Sequence, residues 1–126
     1  MKKSTKFTIS LASVLFVTFT MLVGVYAKDY SLRRKSTATS SVGTATVYCT
    51  ATYHSSGNER WDRLWEVYST GNLKSCSVAK STRVIKDDRH MNSTVTVSMT
   101  TNDYRSGTGT RNLAFRFNGT AVVADN

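Results

Sequence analysis

Along much of this chain apolar side chains recur at every second position. From residue 43 to 53, Ala45, Val47, Cys49, Ala51 and Tyr53 fall on one face and Thr46, Tyr48, Thr50 and Thr52 on the other. Successive side chains of an extended chain point to opposite faces, so this period in β-branched and aromatic residues predicts a half-buried strand. The pattern returns from 93 to 101, where Val95, Val97 and Met99 alternate with Thr94, Thr96, Ser98 and Thr100. It returns again from 112 to 118, with Leu113, Phe115 and Phe117 set against Ala114 and Arg116. Residues 73 to 80 predict a further strand carrying Cys76 and Val78 on one side, and 82 to 86 extend it or begin a partner. Asn118-Gly119 is a hairpin signal, since both residues tolerate positive φ, and it is followed by a last strand over 120–124. Residues 54–58 have turn chemistry, the charged run 86–92 predicts an exposed loop, and 102–110, with Gly107 and Gly109, predicts a flexible connection.

Residues 58–69 support two readings. Trp61, Leu64, Trp65 and Tyr68 have helical spacing, with Ser56 and Glu59 placed as a capping box and Gly71 as a stop. Against this, residues 64–69 are strong strand formers, and Thr70-Gly71-Asn72 suits a hairpin loop. The strand reading is favoured by its β-like surroundings. The expected fold is therefore all-β, a small two-sheet sandwich or barrel of about six or seven short antiparallel strands, with room for one short helix near 58–69.

The N-terminus changes the domain boundaries. Lys2, Lys3 and Lys6 precede 19 residues, 7–25, without a charge, and Val25-Tyr26-Ala27 ends on a small residue. That order is the pattern of a bacterial secretory signal peptide over residues 1–27. Ser10, Ser13, Thr18 and Thr20 dilute the apolar run, which speaks against an uncleaved membrane anchor. Residues 28–41, rich in Ser and Thr and carrying Arg33-Arg34-Lys35, are expected to be a flexible basic tail. A single β-rich domain then occupies 42–126. The expected destination is secreted, extracellular.

Export gives Cys49 and Cys76 an oxidising setting, and one intramolecular disulfide enclosing 26 residues is the expectation. The two cysteines with His54 and His90 follow no recognised ligand spacing, so no metal and no cofactor is expected. Without the three signal-peptide lysines, 14 basic residues face 8 acidic ones, a net charge of +6. A basic exported protein is drawn to anionic cell-wall polymers, glycans or membrane surfaces, whereas export argues against nucleic acid as the primary partner. The chain has no proline, so its sheet edges must be guarded by charge, short strands or pairing.

Catalytic signatures are missing from the sequence: there is no nucleophile elbow, zinc-protease helix or phosphate loop. Glu59, Asp62 and Glu66 read as a solvated face rather than a carboxylate pair. The candidate ligand surface is Trp61, Trp65 and Tyr68 with Arg60 and Arg63 between, because flat rings stack on sugars and guanidinium groups add charge complementarity. The competing reading, which carries more weight, is that a domain this small needs its two mature-chain tryptophans inside. The expected function is a non-enzymatic exported binding module at the cell envelope or in the medium. The alternative is a small secreted antibacterial or membrane-active protein, suggested by amphipathic segments joined by a Gly/Ser/Thr loop.

Overall fold

A computed structural model describes residues 28–126; the signal peptide expected over 1–27 lies outside the described residues. Seven strands follow one another from residue 29 onward: β1 Asp29–Ser40, β2 Gly43–His54, β3 Trp61–Ser69, β4 Leu73–Asp87, β5 His90–Thr101, β6 Ser106–Phe117 and β7 Val122–Ala124. Each pairs antiparallel with its sequence neighbour except across the β3–β4 connection, which divides them into sheets β1-β2-β3 and β4-β5-β6-β7. The fold is thus the expected all-β two-sheet sandwich. Its main strands are longer than expected, and no helix forms over 58–69. Trp61 and Trp65 both face inward along β3, as strand spacing requires, and Asp62 and Leu64 are exposed between them.

The alternation read from the sequence is the device that builds the core. On β2 the buried side chains are Ala45, Val47, Cys49, Ala51 and Tyr53, and on β5 Met91, Ser93, Val95, Val97, Met99 and Thr101. A register slip of one residue would turn these sets outward and bring threonines in, so burial of one face fixes the pairing. At one end of the core Tyr53 stacks on Phe117 at 4.2 Å, with Tyr30 and Trp61 against the pair at 4.9 and 5.0 Å. Near the middle the Trp65 indole donates to Ser93 Oγ at 2.8 Å, which joins β3 to β5 through the interior.

Where the two sheets meet, strands lie side by side without a hydrogen-bonded ladder, and side chains span the gap. Between β3 and β4, Arg63 Nη2 donates to Ser81 Oγ at 3.2 Å and Arg83 Nη1 donates to the Trp61 carbonyl. On the opposite side Arg34 Nη1 donates to the Ala114 carbonyl at 2.8 Å, and Arg34 also holds Oδ1 and the carbonyl of Asn126. The expectation of a flexible tail over 28–41 is therefore overturned. Residues 29–40 pair with β2 from Asp29↔His54 to Ser40↔Gly43, with Ala38 fully buried and Tyr30 and Leu32 packed on the core. The tail reading failed because Arg34 occupies an inward-facing position and breaks the apolar pattern there.

Residues 102–110 are likewise not one flexible connection. A tight turn closed by Thr101 N–H to the Arg105 carbonyl at 2.9 Å leads into β6 at Ser106, so Gly107 and Gly109 are strand residues. Gly109 is there for close approach: a Cβ at this position would lie 2.5 Å from the Thr39 carbonyl oxygen of β1. Gly109→Ala should therefore lower stability by about 1–3 kcal/mol through forced backbone separation, while Ser98→Ala on the outer face changes it by less than about 0.5 kcal/mol. Urea unfolding of both variants checks this; equal stability of Gly109→Ala and wild type would contradict the β1–β6 contact.

The expected Cys49–Cys76 disulfide is not formed; both are free thiols. Cys49 faces the interior opposite Trp65. Cys76 accepts a hydrogen bond from Ser69 Oγ at 3.4 Å, four residues further along β3, or about 13 Å at strand rise. That separation exceeds the reach of a disulfide. Burial pushes the Cys49 thiol up to about 11 from its ordinary 9.0, outweighing the Ser93 hydrogen bond and the pull of Arg63 and Arg34. The contribution of this thiol to stability is complete below pH 9 and is lost as the pH rises through about 11, because the unfolded thiol ionises first. In native protein at pH 8 a disulfide-exchange reagent should label Cys76 readily and Cys49 only on unfolding. Two unreactive, oxidised sulfurs would contradict the structure.

Candidate functional site

The five residues singled out as a ligand surface separate into four environments. Trp61 and Trp65 are core, 2% and 8% exposed. Arg63 is spent on the β3–β4 seam, and Arg60 Nη1 donates to the Tyr53 hydroxyl at 3.0 Å beside the β2–β3 loop. Only Tyr68, half exposed, stands on an outer sheet face. The tryptophan-based surface is therefore not formed; the rings are needed inside, where they fill space between the sheets.

Tyr68 instead belongs to a shallow groove on the outer face of β1-β2-β3. The same alternation that buries Val47 and Cys49 sends Thr46 and Tyr48 outward, and on β1 it sends Arg33 and Lys35 outward while Arg34 turns in. The ladder sets Lys35 beside Tyr48 and Tyr48 beside Glu66, and Thr37 beside Thr46 and Thr46 beside Tyr68. The Arg33 guanidinium lies 3.9 Å above the Tyr48 ring and reaches Glu66 Oε1 at 2.7 Å. The hydrogen bond that Arg33 donates to the Glu66 carboxylate raises the pKa of Arg33 above its already high ordinary value, so the cation is permanent. Tyr48 and Tyr68 meet edge to face at 5.7 Å. Together with Lys35, Ser69 and Thr70 they line a groove of about 460 Å³.

The groove presents fixed and free positive charge, ring surface and hydroxyl groups. Arg33 is held flat by the ring beneath it and the carboxylate beside it, which lowers the entropy lost when it meets an anion. Lys35 has no acidic partner among the described residues, leaving its charge to draw an anionic group. Tyr68 offers ring surface, and the threonine and serine hydroxyls serve as donors or acceptors. Sequence reasoning missed Arg33, Lys35 and Tyr48. Their signal was present: 29–39 also has period two once Arg34 is accepted as an inward residue.

His54 and His90 each pair through Nδ1 with a carboxylate, Asp29 at 2.8 Å and Asp87 at 2.8 Å. The His90 hydrogen bond and the Arg89 backbone N–H hold the Asp87 carboxyl below its ordinary range. Among the described residues no group of three His, Cys, Asp or Glu side chains is placed to hold a metal ion. In fold the molecule is a small antiparallel sandwich bearing a cationic, aromatic groove. Compared with protein families, with curated proteins and with solved structures, the chain matches none.

The two kinds of aromatic residue should respond differently to truncation. Trp65→Ala removes a buried ring and leaves Ser93 without its donor, at a cost of about 3–5 kcal/mol, whereas Tyr68→Ala costs under about 1 kcal/mol. Thermal unfolding distinguishes them; comparable losses would place Tyr68 in the core or Trp65 outside it.

Proposed function

We propose that this chain is an exported, non-enzymatic binding module that engages an anionic polymer or acidic glycan of the cell envelope through the outer groove of its three-stranded sheet. The observation that carries this reading is the juxtaposition of a ring-stacked Arg33, an unpaired Lys35 and a half-exposed Tyr68 in one groove. A saccharide ring packs on Tyr68 while its acidic substituent meets Lys35 and the free edge of Arg33. Net charge assists at longer range: +6 over residues 28–126 raises the local concentration of a polyanion and speeds encounter. The N-terminal secretory pattern supports an envelope or extracellular location, where such polymers are found.

Purified protein incubated with isolated cell walls and with soluble acidic polysaccharide tests this reading. Binding should weaken as salt rises, since exposed charges are screened over about 8 Å at physiological ionic strength. Lys35→Ala and Tyr68→Ala should each reduce affinity about fivefold or more, the scale of about 1 kcal/mol, with the melting temperature lowered by no more than a few degrees. Binding insensitive to both substitutions would refute the groove as the site. The same preparation with dye-loaded anionic vesicles separates the membrane-active alternative: a binding module leaves the dye inside.

A further inference from the structure

A second concavity, of about 540 Å³, lies at the opposite end of β3, between the β2–β3 loop and the end of β4. Trp61 and Tyr68 are separated by about 23 Å of strand, so this cavity is independent of the outer groove. Its volume falls within the range of small-molecule sites. The groups that line it differ in how far the protein itself satisfies them.

On the loop side Trp61 lines the cavity with a side chain only 2% exposed, its indole nitrogen closed off beneath the surface. Arg60 gives one N–H to the Tyr53 hydroxyl at 3.0 Å and keeps its others. Arg83 is fixed by the Trp61 carbonyl, and its one ion-pair partner among the described residues, Glu59, is 3.7 Å away on a side chain 86% exposed, a weak and displaceable contact. On the β4 side Asp87 is satisfied by His90 and by the Arg89 backbone, whereas Asp88 makes no hydrogen bond or ion pair among the described residues. Asp88 is near enough to Arg60 for the two charges to interact. Ile85, 44% exposed, supplies an apolar wall.

The free valences are thus donors and positive charge at one side, a free carboxylate at the other, and apolar surface between. We propose that this cavity binds a small amphoteric ligand of the free-ended dipeptide class, its carboxylate taken by Arg60 and Arg83 beside the Trp61 ring and its ammonium by Asp88. The ligand carboxylate displaces Glu59 from Arg83, and an aliphatic side chain of the ligand lies on Ile85. No bond is made or broken. This site goes beyond the polymer-binding reading and does not rest on it.

An NMR titration of isotope-labelled protein with the dipeptide Ala-Leu tests the assignment, with its N-acetylated and C-amidated forms as controls. With free-ended peptide the Trp61 indole N–H resonance should move and saturate, while that of Trp65, already bonded to Ser93, stays in place. Blocking either end should weaken binding about tenfold, the scale of one charge-assisted hydrogen bond. Asp88→Asn should weaken the free-ended peptide by a similar factor and leave the N-acetylated form unchanged. Glu59→Gln, which removes the competing carboxylate, should tighten binding. The assignment is overturned if Trp61 shows no saturable movement up to about 10 mM peptide, or if blocked and free-ended forms bind alike. The blocked peptides need no variant, so the outcome does not depend on Asp88→Asn folding. Loss of polymer binding by Lys35→Ala with this titration intact would show the two sites to be separate.

Discussion

The central strands β2 and β5 share one constraint: every second side chain must be accommodated by the opposite sheet. The buried sets on β2 and β5 are small or flexible in the middle (Ala51, Val47, Val97, Met99), and the large rings gather at one end, around Tyr53 and Phe117. Such a core tolerates little change in register or volume, because an interior packed to crystal density has nowhere to put a displaced methyl group. The outer faces follow from the same rule. When Val47 and Cys49 point in, Tyr48 must point out, and when Arg34 turns toward the seam, Arg33 and Lys35 must face solvent. The outer groove is in this sense the reverse side of the core.

The two sheets still have edges, and a chain without proline has lost one common way of guarding them. This molecule sets its edges against each other. β3 lies along β4 and β1 along β6, and arginines cross both boundaries to backbone carbonyls of the facing strand. A guanidinium suits this task, since its five N–H groups span a gap too wide for a backbone bond and remain charged whatever the local environment. On the β1 side the chain terminus adds to the closure, with Asn126 Oδ1 accepting both Arg34 and the Ala114 N–H. The closest approach, at Gly109, is available only to a residue without a side chain.

What was legible in the sequence was whatever depended on local period. The strands from 43, 93 and 112, the Asn118-Gly119 turn and the all-β class follow directly from alternation and turn chemistry, and Asn118 Oδ1 indeed receives the N–H groups of Thr120 and Ala121. What failed depended on contacts distant in sequence. Arg34 looked like part of a solvated basic run because its partners are about eighty residues away. Gly107 and Gly109 looked flexible because the backbone that presses on Gly109 belongs to β1. The two cysteines invited a bridge by number and compartment, but Cys49 on β2 and Cys76 on β4 face β3 residues four apart, Trp65 and Ser69, and are kept apart. The tryptophans were readable either as platform or as core, and helical spacing blurred the choice; on a strand, positions 61 and 65 share one face, and that face is the interior. Tyr68, an odd number of residues from both, falls on the other side.

The account depends most on β1. If residues 29–40 were a loose tail, the β1–β6 boundary would be open, Arg34 would have no carbonyl to serve, and Arg33 and Lys35 would not be held beside Tyr48. Amide hydrogen exchange of the folded protein addresses this directly. A strand laddered on one side only has every second N–H bonded to its neighbour, so alternate amides between residues 30 and 39 should be protected within about an order of magnitude of those in β2. Uniformly fast exchange across 29–40, with β2 protected, would contradict the closed sandwich and remove the basis of the groove.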